Sequence, residues 1–139
     1  MKKAKSKYSG TVGSAVSDAF GILEELAEEM REAYDNTPES LQSSPVGEAR
    51  GEAADALESI TEADVPKKFD EVMVKFDYVP VKRPSRAARC SEAVEILTQA
   101  ISALEELEGD DDDDRDDTVS EIQTIIDEAE GVYFPGMFG

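Results

Sequence analysis

Apolar residues recur at three- and four-residue steps in four separate segments of this chain, the period of one helical face. In residues 14–34 the recurring positions are Val16, Ala19, Phe20, Leu23, Leu26, Ala27, Met30 and Tyr34, and Asp35, Asn36 and Pro38 stop the segment. Ser44 before Pro45 is a start signal, with serine as cap and proline at the first helical position. The helix it opens runs to about residue 60, with Val46, Ala49, Ala53, Leu57 and Ile60 inward. Its steps are filled largely by alanine, so it can approach a partner closely. Residues 85–107 keep a heptad-like seam of Cys90, Ala93, Val94, Leu97, Ala100, Ile101, Leu104 and Leu107, ended by Gly109. Thr118 with Glu121 three residues on reads as a capping box. It opens a last helix carrying Val119, Ile122, Ile125, Ile126 and Ala129, which stops at Gly131.

The segments between these helices are of other kinds. Residues 1–13 read as a flexible basic arm. Residues 61–84 are punctuated by Pro66, Pro80 and Pro84 and contain VMVKFDYV (72–79), β-branched and aromatic with partial alternation. A lone strand has no ladder partner, so this stretch is expected to lie extended across the helices or to form at most a small hairpin. The expected fold is mainly all-α: a four-helix bundle of two helical hairpins, joined by an extended or short-β central crossover. The domain spans 14–131, with the link at 61–84 and an apolar tail at 132–139. SAVSDAFGILEEL (14–26) and EILTQAISALEEL (95–107) share a faint similarity, mostly in Leu, Glu and Ala, which leaves duplication of the halves open.

A chain of 139 residues suits one domain with a single core, and 40 % hydrophobic residues exclude a disordered polyelectrolyte. The charge is nevertheless extreme: 33 acids against 14 bases, a formal net charge of −19. The bases collect in two islands. One is Lys2, Lys3, Lys5 and Lys7; the other is Lys67, Lys68, Lys75, Lys82, Arg83, Arg86 and Arg89. Self-repulsion on this scale costs stability, so it is tolerated for solubility or kept for a partner that wants negative charge. No apolar run approaches the roughly 18 residues of a membrane span. The basic N-terminus is followed by a stretch broken by Thr11, Ser14, Ser17 and Asp18, a poor signal core, so a cytoplasmic protein is expected. Cys90 is the only cysteine, which fits a reducing compartment. Histidine is absent, and with it the commonest general base and zinc ligand.

Several constellations could carry function. Asp110, Asp111, Asp112, Asp113 and Asp114 are followed by Arg115, Asp116 and Asp117. Oxygen side chains at Asp110, Asp112, Asp114, Asp116 and Thr118, with Glu121 twelfth, match the spacing of a calcium-binding helix–loop–helix. Arg115 stands where that loop needs glycine, so a solvated, repelling loop is the plainer reading and no metal is expected. Carboxylate pairs such as Glu24 with Glu28 and Glu25 with Glu29 lie on a polar helix face, where nothing raises a pKa for acid–base work. With no phosphate loop, Cys/His cluster or nucleophile elbow, no enzyme and no cofactor are expected.

The acidic rows suggest a different use. Side chains four apart on a helix are separated by about 6 Å of rise, of the order of the phosphate spacing along one DNA strand. Asp18, Glu25, Glu29 and Glu32 on the first helix, and Glu48, Glu52, Asp55 and Glu58 on the second, could imitate a phosphate backbone; the alternative is an acidic face kept for solubility. The basic link VKRPSRAARC (81–90) is expected to neutralise acids on neighbouring helices, and Cys90 to be a small core residue. Tyr133, Phe134, Met137 and Phe138 either dock on the bundle or form a partner-binding tail.

The stretch ELAEEMREAYDNTPESLQSSPVGEARGEAADALESI (25–60) resembles small acidic helical proteins of tailed bacteriophages, in which an acidic helix ends in an Asp-Asn…Pro-Glu-x-Leu-Gln turn before a second helix. RPSRAARCSEAV (83–94) looks like the start of a second helix in the same group. The resemblance covers about half the chain and carries no catalytic motif. It implies a phage origin. The expected function is a non-enzymatic acidic binding protein, a DNA mimic inhibiting a host nuclease or defence complex in the host cytoplasm. Its partner would be a basic nucleic-acid-binding host protein, without direct contact to nucleic acid or membrane and with oligomers open. The alternatives are a structural or assembly protein of a virion or complex, and a calcium-binding regulatory protein.

Overall fold

The computed structural model describes residues 6–80, 85–107 and 113–134, with Asp113 described by its backbone only. In chain order the elements are β1 (Ser6–Thr11), α1 (Val12–Asp35), a single turn α2 (Glu39–Gln42), α3 (Pro45–Glu58), a second short turn α4 (Lys67–Asp70), β2 (Met73–Tyr78), α5 (Arg86–Glu105) and α6 (Asp113–Glu130). The described residues are mostly helical, with one small two-stranded antiparallel sheet.

Local chemistry sets the helix starts. Thr11, the last residue of β1, is also the cap of α1. Its hydroxyl accepts from the Ser14 amide (3.1 Å), and the Ser14 hydroxyl accepts from the Thr11 amide (2.8 Å). This reciprocal pair satisfies donors that a helix start leaves orphaned. A further orphan, the Val12 amide, donates to the Val72 carbonyl at 2.7 Å and so ties the start of α1 to the approach of β2. Ser44 caps α3 through the Gly47 amide (3.2 Å), with Pro45 at the first position, as the sequence implies. Ser85 caps α5 through the Ala88 amide (3.1 Å).

α1 packs against both α3 and α5, α5 packs against α6, and α3 touches α6. One apolar core runs between them. Leu23, Leu26 and Met30 of α1 meet Leu97 and Leu104 of α5 and Ile122 of α6, all almost fully buried. α3 contributes mainly Ala53, Ala54 and Leu57. Most expected inward positions are buried; Val46 is not, at 46 % exposure, and its neighbour Gly47 takes the inner place. A Cβ on Gly47 would collide with the backbone carbonyl oxygens of Leu41 and Gln42, so glycine lets α2 lie directly on the first turn of α3.

Three expectations are corrected. The arm expected to be flexible is strand β1 over Ser6–Thr11, while Lys2, Lys3 and Lys5 lie outside the described residues. The stretch 72–79 has its missing ladder partner there: Tyr8 faces Phe76 and Gly10 faces Val74 in an antiparallel register. Such a two-stranded ribbon is marginal alone; it is held by burying one face. Val74 is buried and Tyr8, Phe76 and Tyr78 are half-buried, whereas Lys7, Ser9, Lys75 and Asp77 face solvent. Finally, the last helix begins at Asp113, not at Thr118. Thr118 is helix interior, 1 % exposed, and its hydroxyl donates to the Asp114 carbonyl at 2.7 Å, so the expected capping box does not form. Acids in a first helical turn are favoured by the helix dipole, which lets an aspartate run start a helix.

Candidate functional site

The first acidic row lies on α1 and the second on α3. Asp18 and Glu29 turn toward β1 and α5. The Tyr8 hydroxyl donates to Asp18 Oδ2 at 2.8 Å, and burial together with that acceptor pushes the Tyr8 pKa up to about 12. Glu29 accepts from both ends of the Arg89 guanidinium, at 2.5 and 2.6 Å, and from Arg86 Nε at 3.3 Å. These bonds, Arg89's above all, hold the Glu29 carboxyl below the usual range. On the other flank Arg31 reaches α3. Its Nη2 lies 2.5 Å from Asp55 and 2.7 Å from Glu58, its Nε donates to the second Glu58 oxygen at 3.1 Å, and the Glu58 pKa falls in response.

Glu29, Asp55 and Glu58 are therefore internal clamps. Glu25, Glu32, Glu48 and Glu52 are exposed and form no salt bridge among the described residues, though Glu25 stands in the field of Arg89. The arginines explain the difference. Arg31, Arg86 and Arg89 are taken by these acids, Arg50 donates to the buried Thr37 hydroxyl (2.9 Å), and Arg115 donates to the Leu107 carbonyl (3.1 Å). Every arginine among the described residues is bonded within the chain. The expected neutralising role of link 81–90 holds for Arg86 and Arg89; Lys82 and Arg83 lie outside the described residues.

Of the aspartate run, Asp110, Asp111 and Asp112 lie outside the described residues, and nothing is described of the Asp113 side chain. Asp114 pairs with Lys68 of α4 at 2.9 Å. Two of the oxygen positions in the calcium spacing, Asp110 and Asp112, lie outside the described residues. Asp114, Asp116, Thr118 and Glu121 lie on a continuous helix, where alternate residues point to nearly opposite sides, and the Thr118 hydroxyl is spent on a backbone carbonyl. No group of three His, Cys, Asp or Glu among the described residues is placed to hold a metal ion. In the tail, Val132 and Phe134 pack against the core while Tyr133 is 71 % exposed; Met137 and Phe138 lie outside the described residues. Cys90 is buried against the Ala129 carbonyl (3.5 Å), and burial pushes its thiol up to about 11. No helix among the described residues is long and apolar enough to cross a membrane.

Sequence reading missed a pocket of about 230 Å³ where the sheet meets α5. Tyr8, Phe76 and Tyr78 form one wall, with the Tyr8 and Phe76 rings stacked at 5.1 Å and those of Phe76 and Tyr78 tilted at 6.1 Å. Ala88, Ser91, Glu92, Glu95 and Ile96 of α5 form the other. The alternation in 72–79 was the available signal, but it locates a wall only once β1 is known to supply Tyr8. Compared with protein-family models, curated proteins and solved structures, the chain matches none.

Proposed function

We propose that this chain is a non-enzymatic acidic binding protein of phage type that occupies the nucleic-acid site of a basic host protein in the host cytoplasm. Its scaffold is a four-helix bundle formed by α1, α3, α5 and α6, with the sheet closing one flank. The observation that carries the reading is the use of the arginines. A protein acidic only for solubility gains by spreading its cations over the surface. Here each described arginine is turned onto a carboxylate, hydroxyl or carbonyl of the chain itself, and Glu32, Glu48 and Glu52 are left uncovered. The scaffold is clamped from within and the remaining negative field points outward, where it steers a basic partner.

The test is a partner captured from bacterial lysate, titrated against the purified chain from low to high salt, with duplex DNA as competitor. Affinity falls steeply with salt and DNA displaces the chain. Salt-independent binding, or binding that DNA leaves untouched, overturns the reading. The assembly alternative has its own support in Tyr133, 71 % exposed beside two docked neighbours. Deleting residues 132–139 abolishes assembly on that reading and leaves partner binding intact on the first.

A further inference from the structure

We infer that the pocket between the sheet and α5 receives an arginine side chain presented by a protein partner. This rests on the reading of the chain as a binder of basic proteins and names one contact that reading lacks. At about 230 Å³ the pocket falls below the ~300–1,000 Å³ that drug-sized ligands occupy, so it suits a single side chain. Its polar chemistry is one-sided. The carboxylates of Glu92 and Glu95 stand on the α5 wall, facing an aromatic wall. Gln99 donates to one Glu95 oxygen at 3.1 Å, and Glu92 has no hydrogen bond or ion pair among the described residues. The Tyr8 hydroxyl is committed to Asp18.

The described cations nearby are directed elsewhere. Arg86 and Arg89, on the same helix, both bind Glu29, and Lys7 and Lys75 lie on the solvent face of the sheet, opposite the aromatic side chains. A wall of stacked rings with carboxylates across from it fits a planar guanidinium. The cation lies against an aromatic face, its forked donors meet carboxylate oxygens, and its aliphatic stem covers Ile96 and Val79. An ammonium lacks both the plane and the fork, so lysine is the poorer occupant. Arginine is also among the residues enriched at interface hot spots.

The test is an amide-resolved NMR titration of the full chain with Nα-acetyl-arginine amide, and with Nα-acetyl-citrulline amide as its neutral isostere. The arginine probe gives saturable shifts centred on Phe76, Tyr78, Ala88, Ser91 and Glu92, and the citrulline probe binds at least tenfold more weakly. The double variant Glu92→Gln/Glu95→Gln, changed at two exposed positions, folds normally and binds the arginine probe no better than citrulline. Equal binding of the two probes, shifts spread over Glu25, Glu48 and Glu52 instead of the pocket, or arginine binding unchanged in the double variant overturns the inference. The two readings fail separately. If the arginine probe gives no pocket shifts while a captured partner is still displaced by DNA, the pocket is wrong and the acidic surface stands. If the probe fills the pocket while partner binding ignores salt, the acidic surface is wrong and the pocket stands.

Discussion

Each half of the chain runs strand, long helix, second helix: β1, α1 and α3 in the first, β2, α5 and α6 in the second. The halves close their helix pairs by opposite means. The first uses small residues and polar ties: Ala53, Ala54 and the buried Gly47 on α3, the Arg50–Thr37 bond and the Arg31 clamp. The second uses bulk. Leu97, Ile101 and Leu104 of α5 share the core with Ile122, Ile125 and Ile126 of α6. Close approach makes the first half intolerant of added atoms. Large interlocking side chains make the second intolerant of lost ones.

The largest effect therefore belongs to the second half. Ile122→Ala removes a fully buried side chain and is expected to cost about 2–5 kcal/mol, read as a drop in the urea midpoint at unchanged slope. A loss under about 1 kcal/mol would show that this half is loosely packed and would break the comparison. The converse test falls on the first half. Gly47→Ala raises intrinsic helix propensity, yet its Cβ meets backbone oxygens of Leu41 and Gln42, the latter at 2.6 Å, and backbone cannot swing aside. A loss of about 1–3 kcal/mol is expected. Gly21→Ala is the control. Gly21 is exposed on α1 with nothing near its missing Cβ, so the same change gains about 0.5–1 kcal/mol. If both changes stabilise, α2 does not bear on α3.

The parts legible in the sequence were those set by local chemistry. Helices α1, α3 and α5 appear within about two residues of their expected ends because apolar period, Ser-Pro and Ser caps, and the Asn36–Pro38 stop are all local signals. β1 was not legible, since Lys7, Ser9 and Gly10 make no apolar alternation and the partner lies across the whole first helical hairpin. The start of α6 was misread because Thr118 and Glu121 carry a cap signature that the helix overruns. Of the acidic rows, spacing gave the faces but not the pairing, since nothing local says that Glu29 will meet arginines from α5. The aromatic pocket was hidden for the same reason as β1.

Glu29→Gln tests the bidentate side-chain ion pair that links α1 to α5. Its side chain is 33 % exposed, so solvent screening trims the expected loss to about 1 kcal/mol. The pH dependence has a definite sign. A carboxyl held below its ordinary value of 4.5 stabilises the fold above that pH, and the contribution disappears as pH falls through the lowered value. Protonating the other acids relieves repulsion and acts in the opposite direction. The difference between wild-type and variant stability curves isolates Glu29: it should be constant at neutral pH and shrink below about 4.5. A gap that persists unchanged at lower pH would mean the Arg86–Arg89 clamp does not lower the Glu29 pKa.

The smallest effect concerns the seam where the strand of the first half meets the second. Tyr8 donates to Asp18 and stacks on Phe76, so it joins β1 to both α1 and β2. Tyr8→Phe keeps the stack and removes only an exposed hydrogen bond, an expected loss of about 0.5 kcal/mol. The phenol's ionisation gives a sharper readout than stability. Ionised, it would be a partly buried phenolate beside a carboxylate, which is why its pKa stands at about 12 against the ordinary 10.0. The unfolded chain releases this proton first, so the stabilisation is complete below pH 10 and is lost as pH rises toward 12. Phenolate absorbance should show a late-titrating step, and that step should vanish in Tyr8→Phe. If the late step survives the substitution, the Tyr8 hydroxyl is not held by Asp18, and the sheet is joined to α1 by its apolar face alone.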